Sequence, residues 1–199
     1  MNGRILRVLL LEDSAADAEL VVEALTRADL TVTAERVQTE AAFVAALARF
    51  RPDLVLSDHA PGMCDAQAAL EVLRAQQPGT PFIVLTRAVR EDVTAGWLRA
   101  GAENVVWKEN LRRLRPAVET ALQLREPLHR LSRRQLEILR LVAEGRSTRS
   151  IARELKLSIK TIETHRAAGM RRLGVHGRVG LVRYAVRVGL IPPDPERRT

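Results

Sequence analysis

The chain has 199 residues, 46% of them hydrophobic and 28% charged, with a formal net charge of +8; this is an ordinary globular composition with room for one large core or two modest ones. Its longest apolar runs fall far short of a membrane span and no charged-then-apolar leader opens it, so the expectation is a cytoplasmic protein with no membrane partner. The lone Cys64 excludes an internal disulfide, and no Cys or His cluster surrounds it to make a metal site.

In chain order, "ILRVLLLE" (5–12) is a short apolar run that suits a strand. "SAADAELVVEALTRA" (14–28) has helical spacing, with Ala18, Val21, Val22 and Leu25 on one face. Ser14 is its predicted N-cap, with Asp17 where the acid of a capping box stands. A strand by alternation (31–37), a helix (39–50), the strand "DLVLSD" (53–58) and a helix (66–77) closed by Pro78-Gly79 follow. Then come a strand (81–86), a helix (90–100), a strand (102–108) and a helix (110–124). Five β-α units in succession predict a parallel sheet covered on both faces, and apolar, non-alternating strands fit such burial. "REPLHR" (125–130) breaks the pattern at Pro127. Beyond it strands vanish, and helices are predicted over about 132–144, 147–155, 159–173 and 178–188 before a polar, proline-rich tail, 192–199, expected to be disordered.

Charge divides the chain the same way. Residues 1–125 hold 15 Lys/Arg against 17 Asp/Glu, while residues 126–199 hold 17 against 7. The split implies two domains with different partners, the basic one carrying the footprint of nucleic-acid binding.

Ligands of open α/β sheets bind beyond the C-terminal strand ends. Glu12 and Asp13 follow the first strand there, Asp58 ends the third, Thr86 the fourth and Lys108 the fifth. If the first and third strands are neighbours, three carboxylates converge, which calls for a cation among them; oxygen-only donors suit a hard ion such as Mg²⁺. A metal-bound carboxylate with a hydroxyl and an ammonium beside it is equipped to accept a phosphoryl group.

On these residues, stretch 1–125 resembles a response-regulator receiver domain. The resemblance implies a flavodoxin-like (βα)5 fold with Asp58 as phospho-acceptor from a sensor histidine kinase. It implies Mg²⁺ held by Glu12, Asp13, Asp58 and the carbonyl of Ala60, and phosphoryl contacts from Thr86 and Lys108. The chain departs from the family at Pro61, three rather than four residues past the acceptor, and at Arg87, where a small residue is usual. It departs again at Val105, where the switch aromatic usually stands although Trp107 lies two residues on, and at Glu109 in place of a proline. An aspartyl-phosphate phosphatase typically needs an aspartate at position 60, where this chain has alanine; no enzyme is expected.

In the basic part, Ser147 caps a short helix bearing Ile151, Ala152 and Leu155, Leu157-Ser158 makes a tight turn, and Ser158 caps the next helix. Two helices so joined form a helix-turn-helix. The second helix faces inward with Ile162, His165 or Ala168-Gly169, and Leu173, and exposes long polar side chains suited to a major groove. "LSRRQLEIL", "IARELKLSIKTIETHR" and "MRRLGVHGR" resemble the LuxR/FixJ-type helix-turn-helix. The resemblance implies base contacts from Glu163, Thr164 and Ala167. It implies contacts to phosphates or adjacent bases from Lys160, Thr161, His165 and Arg166, and general attraction to phosphates from Arg171 and Arg172. It also implies a dimer contact through the last helix. Gly169 replaces the family's bulky apolar residue; inside a helix a glycine costs roughly 1 kcal/mol relative to alanine, so a less stable domain is expected.

The whole predicts an α/β plus all-α chain: a flavodoxin-like receiver over 1–125, a linker over 126–130 and a four-helix helix-turn-helix domain over 131–191. The expected function is a DNA-binding transcriptional response regulator, a homodimer on double-stranded DNA. The alternative is a phosphorylation-independent regulator whose atypical receiver serves dimerisation or ligand sensing.

Overall fold

The computed structural model describes residues 5–59, 66–87 and 90–191. The chain divides into two compact units, Met1–Leu124 and Arg125–Thr199.

The first unit is a five-stranded parallel sheet of order β2-β1-β3-β4-β5. Its strands are β1 (Leu6–Leu11), β2 (Val32–Val37), β3 (Leu54–Asp58), β4 (Phe82–Thr86) and β5 (Asn104–Trp107). Between them run α1 (Ala15–Arg27), α2 (Glu40–Phe50), α3 (Ala66–Gln76) and α4 (Glu91–Ala100). Side chains of a strand alternate between faces, and both faces are apolar here. Leu6, Val8 and Leu10 of β1, with Leu54, Leu56, Ile83 and Leu85, pack on one side under α1 and the helix that follows β5. Leu9, Leu11, Val55, Phe82 and Val84 pack on the other under α2, α3 and Trp97 of α4. Burial on both sides is why these strands read as unbroken apolar runs.

The registers set the C-terminal rim. Leu11 lies beside Ser57, so β1 and β3 are neighbours and stop almost together. Asp58 lies beside Leu85, and Thr86 beside Trp107. At the opposite edge Arg74 of α3 reaches the carbonyls of Thr80 (2.8 Å) and Gly101 (2.7 Å) and pairs with Glu103 at 3.1 Å. Glu103 in turn accepts the Phe82 backbone N–H at 2.6 Å.

After β5 the sequence predicts one helix over 110–124. Instead a 3-10 turn, Lys108–Arg113, precedes α5 (Leu114–His129). Asn110, at φ −131° and ψ 59°, interrupts the helical path. The predicted break at Pro127 and linker 126–130 are not seen, since α5 runs through Pro127. Proline removes one backbone donor, but Arg125 and Leu128 on either side are buried, and both belong to the second unit.

That unit comprises α6 (Arg133–Ala143), α7 (Thr148–Glu154), α8 (Ile159–Leu173) and α9 (Gly177–Arg187) as well as the end of α5. Ser132 and Gln135 form a full capping box on α6. Ser147 and Ser158 cap α7 and α8, each accepting a backbone N–H of the first turn. Gly145, at φ +98°, ends the first of these helices as the sequence predicts. Ile138, Leu139, Ile151, Ile162, Leu181 and Ala185 are fully buried and form the core. Gly169 is a point of close approach: a Cβ there would stand 2.8 Å from Leu139 Cδ1 and 3.3 Å from its Cγ. The glycine lets α8 lie against α6, so its conformational cost accompanies a packing requirement. Among the described residues no helix is long and apolar enough to cross a membrane. The predicted tail, 192–199, lies outside the described residues.

Candidate functional site

The rim gathers carboxylates around a lysine. Lys108 Nζ lies 2.7 Å from Glu12 Oε2, 2.7 Å from Asp17 Oδ2 and 2.9 Å from Asp58 Oδ2. Glu12, Asp58 and Thr86 are buried, and one oxygen from each of Glu12, Asp17 and Asp58 falls within 4.8 Å of the others.

Asp17 stands where the sequence reading expected Asp13. Glu12 keeps the parity of Val8 and Leu10 and turns toward α1, whereas Asp13 is exposed and its carboxylate lies outside the cluster. Its backbone carbonyl accepts from Arg36 (2.9 Å) and Gln38 (3.0 Å), fixing the loop. The chain then returns through the first turn of α1, which delivers Asp17. The capping-box role read for Asp17 is taken otherwise. Ser14 Oγ does accept the Asp17 N–H (3.2 Å), but it is Glu12 that accepts the Ser14 N–H (3.1 Å). The acid in the first helical turn was visible in the sequence; its second use, toward a lysine 91 positions away, was not.

The electrostatics follow from this packing. Burial pushes the Glu12 carboxyl above its ordinary value, against the hydrogen bonds from Lys108 and Ser14. Asp17 is held below the usual carboxylate range by hydrogen bonds from Lys108 and then Arg87. For Lys108, burial acts to lower the value, but the hydrogen bonds to Asp17, Glu12 and Asp58 together outweigh it and raise the ammonium above its ordinary range.

Arg87, next after Thr86, extends its guanidinium to Asp17 Oδ2 at 2.6 Å. Its carbonyl accepts the indole N–H of Trp107 at 3.1 Å. Val105, at the family's aromatic position, is half-buried. His59, directly after Asp58, meets Trp97 edge to face at 5.3 Å between centroids. Ala60, Pro61 and Cys64 lie outside the described residues.

In the second unit α8 divides cleanly. Ile162, Gly169 and Leu173 are buried. Lys160, Glu163, Thr164, Ala167 and Arg171, spaced three and four apart, form one exposed stripe opposite them. Thr161, His165 and Arg166 flank it half-buried. The Thr164 hydroxyl donates to the Lys160 carbonyl (2.9 Å), and the Thr161 hydroxyl lies 2.8 Å from that of Ser158. Arg172 is engaged elsewhere: its guanidinium holds the Arg130 carbonyl (3.0 Å) and Gln135 Oε1 (2.6 Å), tying α8 to the start of α6.

Residues 8–119 match the family described as response regulator receiver domain, and residues 129–185 the one described as bacterial regulatory proteins, luxR family. The chain belongs to the response regulators that join a receiver to a LuxR-type domain. It is 33% identical to the uncharacterized response regulatory protein YgeK of Escherichia coli K12, over 47% of this chain and 76% of that protein. It is 41% identical to the oxygen regulatory protein NreC of Staphylococcus aureus, over 33% of this chain and only 30% of NreC. Full-length FixJ from B. japonicum superposes with a TM-score of 0.53 at 26% identity, covering 94% of this chain and 98% of that one.

Proposed function

We propose that Asp58 accepts a phosphoryl group from the phosphohistidine of a sensor histidine kinase, and that the LuxR-type domain binds double-stranded DNA as a homodimer in the cytoplasm. The observation that carries the first part is the Lys108 ammonium seated on the Asp58 carboxylate at the tip of β3. In the transfer an Asp58 oxygen attacks phosphorus, the P–N bond to the imidazole breaks as the P–O bond forms, and the imidazole leaves with its electron pair. Lys108 and the Thr86 hydroxyl bind the transferred oxygens. The protein is read as a switch rather than an enzyme.

The donor set is all oxygen and three-fold anionic, which fits Mg²⁺. Glu12, Asp58 and Asp17 would hold the ion, with Asp13 and the Ala60 carbonyl completing the set that the family resemblance implies. Bound there, the ion would neutralise charge on the phosphoryl oxygens.

The exposed stripe on α8 and its half-buried flanks support the DNA reading: Glu163, Thr164 and Ala167 toward bases, Lys160, Thr161, His165 and Arg166 toward phosphates or adjacent bases, and Arg171 adding general attraction to phosphates. The predicted Arg172 phosphate contact requires its guanidinium to leave Gln135. An apolar stripe on α9, with Val179 at 72% exposure and Val182 and Val186 half-buried beside it, supports a dimer.

Incubating the full chain with acetyl phosphate and Mg²⁺ is expected to give an acyl-phosphate adduct that Asp58→Ala abolishes. An adduct surviving that substitution, or none on wild type, overturns the acceptor. DNA affinity is expected to fall steeply with salt. Arg166→Ala should weaken binding to all sequences about equally, while Glu163→Ala should change which bases are preferred.

A further inference from the structure

We propose that Arg87 is a second cationic contact for the phosphoryl group on Asp58, parked on Asp17 until that group arrives. The proposal rests on Asp58 as acceptor and adds a residue to its site.

Placement comes first. Asp58 lies beside Leu85, so Arg87 stands two positions further along the neighbouring chain, directly past the buried Thr86. Thr86 in turn lies beside Trp107, which puts Lys108 level with Arg87 on the adjacent strand end. Both cations reach the same atom, Asp17 Oδ2, at 2.6 Å and 2.7 Å. Among the described residues Lys108 and Arg87 thus share one acceptor oxygen of the Glu12, Asp17 and Asp58 cluster.

Arg87 is the movable member of this set. Its side chain is 69% exposed, whereas that of Lys108 is 8% exposed and is already in contact with Asp58. Its backbone is anchored by the Trp107 indole on its carbonyl, so the side chain can swing while the main chain stays. An exposed ion pair is worth little, and Arg87 gives one up when it leaves Asp17. A guanidinium fork on phosphoryl oxygens is stronger and geometrically matched. Phosphorylation replaces a carboxylate monoanion with an acyl-phosphate dianion, which draws the exposed Arg87 guanidinium off Asp17 and toward Asp58. An arginine at a position where small residues are usual then has a function as well as bulk.

The test is the affinity of the full-length protein for beryllofluoride at saturating Mg²⁺, followed by ¹⁹F NMR, with Mg²⁺ affinity measured separately by tryptophan fluorescence. Arg87→Ala is expected to bind beryllofluoride about tenfold more weakly, the loss of one charge-assisted contact, with Mg²⁺ affinity unchanged. Arg87→Lys is expected to recover most of that loss. Equal or tighter binding by Arg87→Ala would show that the side chain only obstructs the site and overturns this proposal alone. No binding by wild type overturns the acceptor reading together with it.

Discussion

Asp17 and Lys108, 91 positions apart, meet at 2.7 Å and close the charged rim of the sheet. The contact joins the first turn of α1 to the end of β5, so the lysine serves as the site's internal counter-ion.

Removing the lysine takes away the one ammonium that touches Glu12, Asp17 and Asp58 together and leaves Arg87 on Asp17. Lys108→Met is expected to destabilise the receiver by about 3 kcal/mol in a chelator, the usual scale for stripping one partner from a buried ionic cluster. Mg²⁺ should restore much of the loss by occupying the same place. Thermal unfolding of the full chain with and without Mg²⁺ measures both.

The same cluster sets an acid dependence. Asp17 has a depressed folded-state value, so its contribution is fully present above the ordinary carboxylate range and disappears as pH falls through that depressed value. The stability difference between wild type and Asp17→Asn should therefore be constant near neutrality and shrink below about pH 4. Urea midpoints at several pH values give the curve; a difference that widens toward low pH contradicts it.

At Gly169 two effects oppose. Alanine gains helix propensity, roughly 1 kcal/mol, but its methyl would lie 2.8 Å from Leu139 Cδ1. Leu139 is fully buried, and overpacking a close-packed core costs about 1–3 kcal/mol. Gly169→Ala is expected to lower the melting temperature of the second unit, opposite to the helix-propensity expectation.

Neighbouring arginines at the end of α8 should behave differently. Arg171 is exposed on the outward stripe of α8, while Arg172 holds Arg130 and Gln135. Arg171→Ala is expected to reduce the slope of log affinity against log salt by about one with stability unchanged. Arg172→Ala is expected to lower stability and leave the slope nearly intact. Salt titrations of DNA binding alongside thermal melts separate the two.

The sheet was legible because parallel strands buried on both faces announce themselves as apolar runs, and the predicted strands and helices recur within a few residues. Glu12, Asp58, Thr86 and Lys108 were legible for a related reason: each ends a strand, and strand ends share one edge. Asp17 was read only as a capping acid and Asp13 as the rim carboxylate, because which acid turns inward depends on strand parity and on the angle at which α1 leaves the loop. Pro127 misled because local backbone chemistry favours a break there, while burial of Arg125 and Leu128 holds the helix together. Arg172 has the composition of a phosphate contact, and only the fold reveals the carbonyl and amide oxygens it meets.

The Arg74–Glu103 pair has a mechanical corollary. It fastens the beginnings of β4 and β5 to α3. Thr86, Arg87 and Trp107 stand at the other end of the same two strands, so this ion pair anchors the sheet at the edge away from the charged cluster.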